Sequence, residues 1–186
     1  MLFRSQVVRL AMDNPAAEAE LRSVLRAAQS AAAADLPEVV IRARRLATLH
    51  DAWSGWLAAA IADRKRQRWT AARAALDLAL ELASGATAVH QEMVGVLLAL
   101  GNVPGAVDHA ERAIALDGEN PASLAALARA MSAADRVHEA RQAAGRALAL
   151  QPQAEDLKAL VEELNRTAVA GGGWRARLRA MWRSGR

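Results

Sequence analysis

"AERAIALDGEN" spans residues 110–120. The same frame of small and large apolar residues ending in a breaker returns further on, where 144–154 reads "AGRALALQPQA". It is also present upstream at the same interval, where 76–86 reads "LDLALELASGA". Divided at that interval, residues 53–154 fall into three windows, 53–86, 87–120 and 121–154. Each window reads as two helices. In the first helix of the middle window His90, Met93, Val94 and Leu97 recur at i, i+3, i+4 and i+7, which is one apolar helical face. The third window places Leu124, Leu127, Ala128 and Met131 there. The first has Trp56, Ala59 and Ala60, and then breaks the pattern at Asp63.

The second helices agree more closely. Ala72, Ala106 and Ala140 share one position, Leu76, Ala110 and Ala144 the next, then Ala79, Ala113 and Ala147, then Leu80, Ile114 and Leu148. Small residues on one face let two helix axes approach toward the short end of the ~8–10 Å range. Breakers fall between the helices. Gly101 can supply the left-handed residue that ends a helix, and Asn102 and Pro104 suit the start of the next. Gly118 ends the second helix, Asn120-Pro121 reads as N-cap and first helical residue, and Pro152 interrupts one unit later. Asp135 replaces glycine at the third inner turn and is expected to cap the following helix.

Composition agrees with an all-helical chain. Of 186 residues, 53% are hydrophobic but only 3% aromatic, with no Tyr and one Phe. Such lettering is poor in the residues strands prefer. The absence of cysteine excludes disulfides and thiolate metal sites. No apolar run approaches the roughly 20 residues of a membrane-spanning helix. The net charge of +4 is unevenly placed: residues 171–186 hold five arginines and no acid, and the rest of the chain carries 19 bases against 20 acids. The basic excess therefore lies in the tail, and nucleic-acid binding by the body is not expected.

A 34-residue helix–turn–helix period with an early aromatic, an inner-turn glycine, alanines in the second helix and a late proline resembles the tetratricopeptide repeat (TPR). Trp56, Gly101, Ala106, Ala113, Ala140, Ala147 and Pro152 carry the resemblance. The sequence departs from it at Asp63, at Gly118 where proline is usual, and in lacking tyrosines. The resemblance implies an all-α fold, a right-handed α-solenoid of antiparallel helix pairs.

Residues 155–167 continue as an amphipathic helix through Leu157, Leu160, Val161 and Leu164, suited to capping the last unit. Upstream, 13–52 reads as a degenerate helix pair, with Glu38 where the frame demands alanine. Residues 1–12 are expected to be a leader, artefactual or truncated, because Leu2-Phe3-Arg4-Ser5 matches one reading frame of a common sequencing adapter. Residues 168–186 form a glycine linker and basic tail.

In TPR proteins one face of each first helix looks into a concave groove that can hold a peptide. The resemblance places Ser54, Leu57, Ile61, Arg64 and Lys65 there in the first window. The second contributes Ala88, Gln91, Gly95, Leu98 and Ala99, and the third Ala122, Ala125, Arg129, Ser132 and Ala133. The Lys and Asn pair with which some members grip a C-terminal carboxylate is absent: the corresponding pairs are Leu57/Ile61, Gln91/Gly95 and Ala125/Arg129. Chaperone-tail binding is not implied.

No catalytic constellation, cofactor site or metal site is expected. His50, His90, His109 and His138 lack metal-ligand spacing, and Gly171-Gly172-Gly173 lacks the Lys-Ser/Thr of a phosphate loop. "RKRQRW" at 64–69 could meet phosphate or an acidic partner, but such a run is more often an exposed helix end whose cations favour the C-terminal dipole. In the tail, Trp174, Leu178, Met181 and Trp182 recur at helical spacing among Arg175 and Arg179. Three readings stay open for it: a membrane-surface anchor, a docking helix, or a disordered basic end. The expectation is a non-catalytic scaffold binding a protein or peptide, cytoplasmic or membrane-associated. Its alternatives are the accessory repeat region of a larger bacterial enzyme of glycosyltransferase or sulfotransferase type, and a membrane-surface assembly factor.

Overall fold

A computed structural model describes residues 15–169. Among them are nine α-helices and no strand: α1 (Pro15–Ser30), α2 (Leu36–His50), α3 (Trp53–Lys65), α4 (Trp69–Leu82), α5 (Thr87–Ala99), α6 (Val103–Asp117), α7 (Pro121–Ala133), α8 (Val137–Leu150) and α9 (Glu155–Val169). The helix starts recur at the period. Helices α3, α5 and α7 have the same length, and they begin one full period apart at Trp53, Thr87 and Pro121. Helices α4, α6 and α8 begin at Trp69, Val103 and Val137, again at that interval.

The inner turns share one backbone solution. Gln67, Gly101 and Asp135 occupy equivalent positions and all take positive φ, at +58°, +76° and +64°. In each turn the following N–H reaches five residues back: Arg68 to Asp63 O, Asn102 to Leu97 O and Arg136 to Met131 O, each at 2.9 Å. This satisfies carbonyls that a helix end would otherwise leave without partners. Asp135 therefore acts through its left-handed backbone. It does not cap α8, whose N-cap is Arg136 without a side-chain cap bond. Asparagine performs the expected capping elsewhere: Asn102 Oδ1 accepts from Gly105 N at 3.1 Å, and Asn120 Oδ1 from Ala122 N at 2.8 Å.

The contacts divide the chain into two units, one ending at Glu92 and one beginning at Met93. In the first, α3 packs against α1, α2 and α4, and α1 also packs against α2. Flanked on three sides, α3 is buried along an unbroken run from Leu57 to Asp63. Its neighbours bury only stripes: Ala17, Leu21, Val24 and Ala28 on α1, and Ala72, Ala75, Leu76 and Ala79 on α4. Helices α2 and α3 meet at Gly55, where an added Cβ would stand 2.8 Å from Ala47 Cβ and 2.9 Å from its Cα and N. The α2 stripe is shifted in the frame. Leu36, Val40 and Ala43 match Ala72, Leu76 and Ala79, but each stands two positions further back than one period would place it. Glu38 is therefore exposed in the first turn, and Leu36 takes the packing position.

In the second unit α7 packs against α6 and α8, and α9 against α8 and α7. One core cluster joins Ala128, Met131, Ala140, Ala143, Ala144 and Leu164, with Leu160 and Val161 packed on it. A second joins Leu124, Ala125, Ala147 and Leu157. The alanines of the repeat frame are buried: Ala72, Ala106 and Ala140 are each fully excluded from solvent. Leu80, Ile114 and Leu148 are half-buried.

Candidate functional site

In the first unit the residues assigned to the groove have divided fates. Leu57 and Ile61 are 3% and 4% exposed. Both lie on the enclosed helix α3, so their side chains serve packing and present nothing to a guest. Ser54 is half-buried, Ala88 exposed and Gln91 half-buried. Arg64 Nε donates to Glu92 Oε2 at 2.8 Å. Lys65 Nζ donates to the Gln29 carbonyl at the end of α1.

In the second unit Ala125 is buried in the Leu124 cluster. Gly95, Ala99, Ala122 and Arg129 are exposed, and Leu98, Ser132 and Ala133 half-buried. A Cβ at Gly95 would meet nothing within 4 Å. Apart from Leu98 and the one cation, Arg129, all of these positions carry small side chains. No ion pair to Arg129 is formed among the described residues.

The basic run 64–69 resolves into separate commitments. Arg64 reaches Glu92, Lys65 reaches Gln29, and Arg66 turns to Asp63. Asp63, the residue that broke the apolar pattern, is 1% exposed. Its Oδ2 accepts from Arg44 Nη2 at 2.7 Å and its Oδ1 lies 3.4 Å from Arg66 Nη1. A buried carboxylate requires such partners. The sequence carried its signal, an acid inside an alanine-rich helix, but not the identity of Arg44, which comes from the preceding helix.

His90, expected to be packed, is 3% exposed, with Nε2 3.0 Å from Ser84 O. Among the described residues no group of three or more His, Cys, Asp or Glu is placed to hold a metal ion, and no helix is long and apolar enough to cross a membrane. Between α8 and α9 lies an open surface cleft lined by His138, Arg141, Gln142, Val161, Leu164 and Asn165, which the sequence reading did not anticipate. At the start of α8, Arg136 and Glu139 are paired, with Nε–Oε1 at 2.7 Å. That hydrogen bond raises the Arg136 pKa and lowers that of Glu139. The leader 1–12 and the tail residues Trp174, Arg175, Leu178, Arg179, Met181 and Trp182 lie outside the described residues.

No protein-family model and no curated protein matches the sequence. Among solved structures, the chain is similar to MamA of Desulfovibrio magneticus RS-1, with a TM-score of 0.65 and 16% identity over 92% of this chain and 98% of that one. It is also similar to a thermophilic TPR protein of Thermus thermophilus, with a TM-score of 0.64 and 18% identity over 87% and 88% of the two chains. A third is YrrB, described as a TPR protein with an unusual peptide-binding site, with a TM-score of 0.57 and 14% identity over 74% and 70%. The fold is that of the tetratricopeptide-repeat proteins, an all-α helical-repeat solenoid.

Proposed function

We propose that the chain is a non-catalytic interaction scaffold that holds a protein segment against the small-residue face of its second unit. The observation that carries this reading is the open space over Gly95, beside exposed Ala99 and half-buried Leu98 on α5. Arg129, Ser132 and Ala133 on α7 supply the corresponding positions of the next repeat. Small side chains leave room for a guest backbone, Leu98 offers an apolar contact, and Arg129 offers a charge to an acidic group. The TPR fold and the peptide-binding description of YrrB support the same class of role.

The test is a selection from a random-peptide display library, followed by affinity measurement of the enriched peptides. Leu98→Asp and Arg129→Glu are expected to weaken those peptides about tenfold, the equivalent of one lost charged or buried contact. Equal binding by wild type and both variants removes this face from consideration.

A further inference from the structure

Helix α2 has an outer face whose chemistry neither the repeat nor the proposed groove uses. Ile41 and Leu49 are 69% and 66% exposed, well above Leu150, the next of the exposed large apolar residues, at 50%. At 100° per residue Ile41, Arg45 and Leu49 fall within an arc of about 80°. Arg44 lies about 60° outside that arc, and its side chain reaches Asp63 on α3. From Val39 to His50 the helix carries Arg42, Arg44 and Arg45 and no acid.

Two of the neighbouring cations are fixed in place. Asp63, buried and ionisable, holds Arg44 by Oδ2 and Arg66 by Oδ1. A guanidinium has five N–H donors, and Asp63 takes one from each. The Arg44 side chain remains 44% exposed and that of Arg66 23% exposed. The carboxylate thus works as a bracket, holding one partly exposed guanidinium at each of its oxygens. Guanidinium forks match carboxylates in geometry, and holding them in advance reduces the ordering cost of binding.

We infer that the outer face of α2, together with Arg66, is a second docking surface, for an acidic protein segment bearing apolar side chains. Carboxylates of the segment meet Arg44 and Arg66, and its apolar residues cover Ile41 and Leu49. Asp63 is a positioning residue: it touches the arginines and not the guest. This surface lies within the first unit and is independent of the face proposed above.

The test uses the full chain and two fluorescein-labelled peptides, one of repeated Glu-Glu-Leu triplets and one of Gln-Gln-Leu triplets, read by anisotropy. The expected result is that the acidic peptide binds at least about tenfold more tightly than the neutral one and weakens with added salt. Arg66→Gln, which leaves the Arg44–Asp63 bond intact, is expected to reduce acidic-peptide affinity about tenfold, and the Ile41→Ser/Leu49→Ser pair several-fold, with helical circular dichroism unchanged. Arg44→Gln is the second charge variant where it retains that signal. Arg112→Gln, which removes an exposed cation of the second unit outside both surfaces, is expected to leave this binding unaltered. Equal binding of the two peptides overturns the inference, as does an Arg66→Gln chain that binds like wild type. A loss in Arg112→Gln as large as that in Arg66→Gln shows unspecific charge attraction and also overturns it. So does binding to anionic phosphatidylserine vesicles without binding to the peptide.

Discussion

Asp135 shares the left-handed backbone of Gly101, one repeat before it: φ is +64° at one and +76° at the other. Gln67 completes the series at +58°. For residues other than glycine this conformation costs roughly 1–2 kcal/mol, least for Asp and Asn. Glycine loses part of that advantage through its freer unfolded chain. Gln67→Gly is therefore expected to stabilise the chain by about 0.5–1 kcal/mol, and Asp135→Gly by less. Urea unfolding checks the order, and a destabilised Gln67→Gly chain contradicts it.

Two helical glycines should respond in opposite directions. At Gly55 a methyl group would strike the Ala47 backbone at 2.9 Å, where no side chain can yield. Gly55→Ala is expected to cost at least about 1–3 kcal/mol. At Gly145, exposed within α8, a Cβ meets nothing within 4 Å. Gly145→Ala should add about 0.5–1 kcal/mol through helix propensity. Thermal melts of the two variants should move apart from wild type in opposite senses.

The Asp63 pair gives an asymmetric result. Arg44→Ala leaves a buried carboxylate with only the longer Arg66 contact, and is expected to cost about 2–3 kcal/mol. Asp63→Leu restores an apolar residue to an apolar helix, while both arginines retain access to water. Its expected cost is below about 1 kcal/mol. Chemical denaturation of both variants distinguishes them, and a larger loss in Asp63→Leu would reverse the assignment of the burden.

The Arg136–Glu139 pair sets a pH dependence. The hydrogen bond from Arg136 holds the Glu139 carboxyl below its ordinary value of 4.5. Its contribution is thus complete above that value and disappears as pH falls through the lowered one. Both groups are solvent-exposed, so the effect is small and salt-sensitive. The melting-temperature difference between wild type and Glu139→Gln should shrink through the acid range. A difference that grows on acidification has the wrong sign.

Residue spacing made the repeat legible because alanine at one recurring position has a single packing consequence. Ala72, Ala106 and Ala140 all met it by complete burial. Gly101 announced its turn and Asp135 stood at the equivalent place, though as an expected cap; Gln67 gave no signal, since the turn is imposed by the helices on either side. The two-position offset of Leu36, Val40 and Ala43 concealed the alignment of α2. Groove assignment was the least legible part. A helical face shows which residues point one way, but not whether another helix already stands there, and for Leu57 and Ile61 burial is nearly complete.

The enclosure of α3 makes its amide protons candidates for the slowest hydrogen exchange in the first unit, because opening this helix requires displacing three others. It also gives Pro15–Ser30 and Leu36–His50 the character of a sheath. A shortened chain starting at Trp53 would bare Leu57 and Ile61 and acquire an adhesive, self-associating surface.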